Sequence, residues 1–439
     1  YALNGTNWCN VPFSESFTNV MPAWLQLKYA HANGLLSDDI FAVANILKVM
    51  SLHRVSDIYG PLPVLHFGET ENPYNSQEEC YMHFFETLDS AIAVLKDVVE
   101  NNPDAKPLEE VDALYHGDYS KWLKLANSVK LRLAMRICYV KPDLAKQYAM
   151  EAVRDGVMET ADDSALFQSW GSITVINPLE KIWNGYSDTR MGASMDSYLN
   201  GYNDPRLPVY FQPVTDGDNK GEYRGVANGM PNPQQEDYKA MSSPNVQEKS
   251  TDSPLRWMMA SEVAFLRAEG AMRGWTAEMG GTAEEFYNKG IELSFLENGL
   301  SADAAARYAA DETSKPTDFT DVSAANTKYN ISALGKIAIK WNSGASEEEQ
   351  LERIITQKWI AMFPNGTEAW SEFRRTGYPR LFPVRYNYPS SGVDTNKQIR
   401  RMVFPQSEYS NNGAAVQEAV KLLGGPDNGG TKLWWDKKN

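Results

Sequence analysis

Apolar residues recur every three or four positions over long stretches of this chain, the period of a helix with one buried face. Residues 38 to 55 show it through Ile40, Val43, Ala44, Leu47 and Ser51, with Asp38 or Asp39 as the cap and an end near Tyr59-Gly60-Pro61. Residues 77 to 99 repeat it with Tyr81, Phe84, Phe85, Leu88, Ile92, Leu95 and Val99, and residues 120 to 140 with Trp122, Leu125, Ala126, Val129, Leu133 and Ile137. Asp143 opens a fourth helix, carrying Ala145, Ala149, Ala152 and Val153 to Gly156. The pattern returns at 257 to 273, at 283 to 298 (Tyr287, Ile291, Phe295), at 347 to 362 and briefly near 414 to 423.

Between these stretches the pattern is lost. Residues 1 to 20, rich in Asn, Ser, Thr and aromatics, read as a loop, and so do 100 to 118. Residues 157 to 255 are dense in Gly, Pro, Asn, Asp and Ser, yet carry Trp170, Trp183, Tyr186, Tyr202, Tyr210, Tyr223 and Tyr238. Irregular segments of that length in a compact chain are usually functional or disordered, and so many aromatics argue against disorder. Residues 311 to 346 and most of 376 to 439 are again irregular. The fold class expected from this is mostly α, built on amphipathic helix pairs with small residues at their crossings. No strict 34-residue repeat is visible.

Composition narrows the function. The chain has 439 residues, room for two or three domains or one large one. Its net charge is −15, and its basic clusters, such as Lys121 to Arg136, are interleaved with apolar helix positions. A nucleic-acid binder needs a basic stripe, so no nucleic-acid partner is expected. No run of 18 apolar residues spans a membrane. Cys80 and Cys138 fall inside helical patterns as buried thiols, and three cysteines make no disulfide framework. The chain opens on Tyr1 rather than Met, as expected where a start has been removed, so the lack of a signal peptide carries no information.

The residue patterns of catalysis are missing. The five histidines form no pair at metal-ligand spacing, and there is no Gly-x-Ser-x-Gly elbow and no phosphate-binding glycine loop. Glu262 and Glu269 share a helix face, but pairing with Arg267, Arg273 or another helix's arginines explains them better than a glycosidase pair. Residues 216 to 222, DGDNKGE, lack the ligands a calcium loop needs at its fifth and twelfth positions and read as a turn. These patterns assign no catalytic residue, metal or cofactor, and they leave open whether a cation is bound. What remains is binding by aromatic faces. Trp and Tyr stack on the C–H faces of sugars while Asn, Asp and Arg reach the hydroxyls.

One stretch, residues 354 to 381, organises the rest: IITQKWIAMFPNGTEAWSEFRRTGYPRL. Ile355, Trp359 and Met362 share a helix face, Pro364-Asn365-Gly366 stops the helix, and an aromatic and basic run ends at Tyr378-Pro379. By itself it is a packed helix-turn-helix with Arg374 and Arg375 as surface arginines. The stretch from residue 357 also resembles the C-terminal signature of the SusD/RagB-like nutrient-binding lipoproteins of Bacteroidota. Five further blocks resemble the same family in order: HRVSDIYGPLP at 53 to 63, KWLKLANSVKLRLAMRI at 121 to 137, NDPRLPVYF at 203 to 211, EVAFLRAEGAMRG at 262 to 274 and LWWD at 433 to 436.

The resemblance implies a single domain with a tetratricopeptide-like helical-pair scaffold (about 20–156, 257–299 and 347–381). A large irregular, loop-rich region (about 1–19, 157–255, 311–346 and 382–439) would pack on one side of it. It implies a protein on the extracellular face of the outer membrane, held by a lipid anchor not present in this chain. It further implies an oligosaccharide or peptide ligand and a SusC-like TonB-dependent barrel as partner, with no bond broken. The family's shallow aromatic platform lies in the loop before the scaffold and in the irregular middle. By position this selects Asn7 and Trp8 in the first, and Trp170, Trp183 and Tyr186 in the second. A helical-repeat scaffold that binds only proteins and a glycan hydrolase are the rival readings.

Overall fold

A computed structural model describes residues 6–230, 235–245 and 253–438. The fold is mostly helical, as the periodicity predicts. The chain forms two compact units, Tyr1–Val157 with Asn387–Asn439, and Met158–Tyr386.

In the first unit the helices Asp38–Tyr59, Gln77–Asn101, Tyr119–Arg136 and Pro142–Arg154 pack successively, each against the next. Tyr81, Phe84, Leu88, Leu125, Val129 and Leu133, all placed on buried faces by their spacing, are fully buried. Ser37, not Asp38 or Asp39, takes the cap position of the first of these helices, and the two aspartates fill its first turn. There they still favour the positive end of the helix dipole. The helix stops at Gly60, whose φ is +96° and where an added Cβ would lie 2.8 Å from Leu423. The Gln77–Asn101 helix opens with a capping box: the Glu79 amide donates to Ser76 Oγ at 3.2 Å and the Ser76 amide to the Glu79 carboxylate at 2.7 Å. Buried Lys130 reaches Asp89 and Glu151 at 2.6 Å each and so ties three helices together. Cys80 and Cys138 are buried thiols, as expected.

Of the expected loop at 1 to 20, residues 1 to 5 lie outside the described residues, and residues 7 to 20 depart from it. Helical turns at Asn7–Asn10, Val11–Glu15 and Ser16–Val20 run into the helix Met21–Ala32. The cause is tertiary: Phe13 is buried against Tyr59, with ring centroids 5.6 Å apart, and Phe17 lies 4.6 Å from Phe13. That packing overrides the weak helix propensity of Asn, Ser and Thr. The tail departs too. Its helix runs from Gln406 to Leu423 with a break in helical geometry at Asn412, so the expected segment from 414 is the part beyond the break.

Lys48 is a buried cost in this unit. It is 3% exposed, its Nζ lies 3.2 Å from His83 Nε2 and 4.1 Å from the centre of the Trp24 ring. Burial, with a further push from Lys28, holds its ammonium down at about 7 against an ordinary 10.5. The unfolded chain thus binds this proton more tightly. The destabilisation is complete below about pH 7 and fades as pH rises toward 10.5. Lys48→Met is expected to raise the melting temperature of the first unit at pH 6, by the equivalent of at least about 1 kcal/mol, and to change little at pH 10.5. Equal effects at both pH values in calorimetric melts would contradict this.

The second unit holds the helices Ala193–Gly201, Ala260–Gly270, Ala283–Leu296, Ala302–Ala309, Glu347–Ala361 and Gly366–Thr376. The Ala260–Gly270 helix packs on Ala283–Leu296, and Gly290 permits the approach, since a Cβ there would meet the Phe265 ring at 2.7 Å. The helix expected from 257 starts at Ala260 because Leu255–Met258 is a strand, paired antiparallel with Ala165–Phe167. Phe167 and Trp257 stack across it at 4.7 Å. Ala193–Gly201 was not expected within 157–255. It is short and polar, and it is held by tertiary bonds: the Gly225 amide donates to Asp196 at 2.6 Å, and its Tyr198 and Leu199 are buried.

Arg374 and Arg375 are not surface residues, because both are fully buried. Arg375 donates to the two oxygens of Glu269 at 2.7 and 2.6 Å and to Glu372 at 3.0 and 2.7 Å. Lys358 adds a bond to Glu372 at 3.0 Å and Arg273 one to Glu269 at 2.8 Å. Burial raises the Glu269 carboxyl, but Arg375 and Arg273 outweigh it and hold the group at about 2. The helix-turn-helix expected over 354–381 is present, and its second helix is fixed through charge rather than presented to water.

Candidate ligand-binding surface

The aromatic candidates of the second unit lie on one exposed segment that follows the Ala165–Phe167 strand. Trp170 and Ile173 exchange backbone hydrogen bonds of 3.0 and 2.8 Å, closing a tight loop. Ser169 Oγ clamps the far side of this loop, accepting from the Val175 amide at 2.9 Å. Buried Asn177 caps the short turn Pro178–Glu180 by accepting from the Leu179 amide at 3.0 Å. Its Nδ2 donates to the Pro254 carbonyl at 3.2 Å, which anchors the segment beside the Leu255–Met258 strand. A wide helical turn, Lys181–Gly185, then carries Trp183 and delivers Tyr186 three residues later.

This backbone leaves Trp170 at 37%, Ile176 at 63%, Ile182 at 40% and Tyr186 at 48% exposure. Trp183 is half-buried, its ring nearly parallel to that of Phe363 at 6.0 Å and 13°. Phe363 in turn rests on Tyr210 and Phe211 at 4.8 and 5.1 Å. Trp183 is thereby supported from behind, while Asn184, Ser187 and Asp188 around it are exposed polar groups. An aromatic face with a fixed back and polar neighbours suits a ligand that has both C–H faces and hydroxyls. Ile176, Ile182 and the supporting Phe363 escaped the sequence reading. No periodicity marks the first two, and Phe363 belongs to a stretch whose contacts lie far away in sequence.

In the first unit Trp8 is 76% exposed on the Asn7–Asn10 turn. The turn is fixed, since the Tyr59 hydroxyl donates to the Cys9 carbonyl and Phe13 packs on the Tyr59 ring. Asn7 opens the turn, and its side chain lies outside the described residues. On the same turn, the Asn10 side-chain oxygen is buried without a hydrogen-bond partner among the described residues.

The other candidate chemistry resolves into structure. Glu262 and Glu269 are both at most 1% exposed, and Glu269 is held by arginines. Residues 216 to 222 form a turn with positive φ at Gly217 and Gly221. Among the described residues no group of three or more His, Cys, Asp or Glu is placed to hold a metal ion. None of the described helices is long and apolar enough to cross a membrane.

Comparison with known proteins agrees with the blocks quoted above. The pattern of the SusD-like family, described as SusD and RagB outer membrane lipoprotein, matches residues 1–436. No curated protein matches. Among solved structures, a chitin-binding SusD homologue from Flavobacterium johnsoniae is 40% identical, with a TM-score of 0.90 over 97% of this chain and 86% of that one. A SusD-like protein from Bacteroides thetaiotaomicron is 39% identical, with a TM-score of 0.90 over 98% of this chain and 87% of that one. A SusD homologue from Bacteroides vulgatus is 34% identical, with a TM-score of 0.92 over 100% of this chain and 87% of that one. The chain belongs to the SusD-like family of outer membrane lipoproteins.

Proposed function

We propose that this protein is a glycan-binding protein of the cell surface that captures an oligosaccharide and delivers it to a SusC-like TonB-dependent barrel. Its aromatic contacts in the second unit are Trp170, Trp183 and Tyr186; Asn7 and Trp8 are separate candidate contacts on the first unit. The observation that carries this reading is the exposed segment 170–186, with Trp183 braced by Phe363. The chitin-binding relative supports a carbohydrate ligand. Ligand capture needs no bond to break, so the protein acts as a binder rather than a catalyst. It works on the extracellular face of the outer membrane, held there by a lipid anchor. An open surface covers only part of its ligand, so affinity is modest.

Calorimetry against chitooligosaccharides, other neutral oligosaccharides and peptides tests this. Saturable binding of one saccharide is expected, with the ligand recovered intact. Trp183→Ala is expected to weaken it at least about tenfold, the equivalent of about 1.4 kcal/mol. Trp8→Ala is the parallel test in the first unit. Binding untouched by either variant would remove the site, binding of peptides alone would change the ligand class, and cleaved ligand would overturn the non-catalytic reading.

A further inference from the structure

A cleft lies in the second unit, at the first turns of the Glu347–Ala361 helix. Its volume is about 580 Å3, within the range of small-molecule sites. Glu348, Glu349, Glu352 and Arg353 line it from the helix, Lys315 and Lys336 from the irregular segment 311–346, and Tyr378 and Arg380 from beyond the Gly366–Thr376 helix.

The acids and bases of this cleft differ in how far their hydrogen-bonding capacity is used. Each acid already has a donor: Glu352 accepts from Arg380 Nε at 3.1 and 3.0 Å, Glu349 from Arg353 at 3.2 Å, and Glu348 from the Tyr378 hydroxyl at 2.9 Å. Glu312 accepts from Lys340 at 2.9 Å. The bases keep donors in reserve. Arg380 is half-exposed, and among the described residues it commits only its Nε, which leaves both terminal nitrogens of the guanidinium open there. Lys315 and Lys336 are exposed and make no hydrogen bond or ion pair among the described residues. Arg353, 4% exposed, keeps a buried Nη1 that has no partner among the described residues. Each acid of the cleft already has a cation or hydroxyl beside it, so the donors left for a ligand are those of Arg380, Lys315 and Lys336, which suit acceptors and negative charge. Leu334, 39% exposed, and Ile337 add an apolar wall that a sugar ring can cover.

We propose that this cleft binds the anionic substituent, a carboxylate or sulfate, of an acidic saccharide, with Arg380, Lys336 and Lys315 as its contacts. The proposal rests on the reading of the protein as a saccharide binder. It is separate from the aromatic segment, because Phe363 and Trp183 sit just past the other end of the same 15-residue helix. At 1.5 Å per residue the two sites are about 20 Å apart along it. A long acidic glycan would engage both, and a short one would tell them apart.

The test compares galacturonic acid trimer with its carboxyl-reduced, neutral counterpart by calorimetry in low salt. The wild-type protein is expected to bind the acidic trimer at least about tenfold more tightly. The double variant Lys315→Gln/Lys336→Gln, which leaves every acid of the cleft its present donor, is expected to abolish that difference. Arg380→Gln should do the same, and the lysine pair keeps the test valid if that variant fails to fold. Raising the salt to 0.5 M should also shrink the preference. A sulphated trisaccharide that binds equally well would assign the site to charge in general, and one that does not would assign it to carboxylates. Equal affinity for the acidic and neutral trimers, or a preference intact in the lysine pair, would overturn the proposal. Loss of neutral-oligosaccharide binding in Trp183→Ala alone reports on the aromatic surface and leaves this result independent.

Discussion

Arg375→Met is expected to destabilise the second unit by about 3–5 kcal/mol, because it strands two buried carboxylates rather than removing a surface charge. Glu269 and Glu372 are each about 1% exposed and take four hydrogen bonds from this one guanidinium. Arg273 and Lys358 remain to them, but neither replaces the bidentate contact. For a unit of this size the loss corresponds to roughly 6–20 °C in melting temperature. The pH dependence has a definite sign. Glu269 is held at about 2 in the folded unit against an ordinary 4.5, so its contribution is complete above about pH 4.5 and is lost as pH falls toward 2. The gap between wild type and variant should therefore narrow below pH 4.5. Scanning calorimetry at pH 7 and pH 3.5 measures it, and a loss below about 1 kcal/mol at pH 7 would show that Arg375 is not the keystone described.

Trp435→Ala is expected to cost the first unit a similar amount, about 3–5 kcal/mol, by opening a cavity in a packed core. Trp435 is fully buried, and its Nε1 donates to Asp57 at 2.8 Å. Asp57 also accepts from the Tyr81 hydroxyl at 2.5 Å and pairs with Arg136 at 3.4 Å. The indole thus joins the chain's last residues to three earlier helices. Asp436 beside it is bound by Arg400 at 2.8 and 2.5 Å, and Arg401 donates to the Tyr59 carbonyl at 3.1 and 3.0 Å. Trp435→Phe separates the two contributions. It keeps most of the volume and loses only the donor, so about 1–3 kcal/mol is expected. Chemical denaturation of the three proteins gives the order wild type, Phe, Ala. An alanine variant as stable as the phenylalanine one would mean that the site collapses without a cavity.

These two networks show what the family-resembling blocks do. His53, Asp57, Arg136, Arg206, Glu269, Arg375 and Asp436 all lie in those blocks, and all are at most 1% exposed. Arg206, from the block at 203 to 211, bonds Asp204, Ser294 and Gln357 between 2.7 and 3.0 Å. The blocks therefore carry the architecture: buried charge with obligatory partners tolerates little change. Trp8, Trp170, Tyr186, Lys315 and Lys336 lie outside these blocks and are exposed, so changes there cost the fold little.

The helices whose apolar faces repeat every three or four residues are legible in the sequence, because that signal is local. So are the family, through six blocks in order, and the aromatic content of the irregular middle. The fate of charge and exposure depends on contacts distant in sequence. Arg375 reads as a surface residue until Glu269, 106 positions away, is placed against it. Residues 7–20 read as a loop until Tyr59 gives Phe13 a surface to pack on. Trp183 and Trp435 are the same residue type in similarly polar surroundings. One is half-exposed on a braced ledge and the other is sealed in a core, because burial is set by which distant segments arrive to cover a side chain.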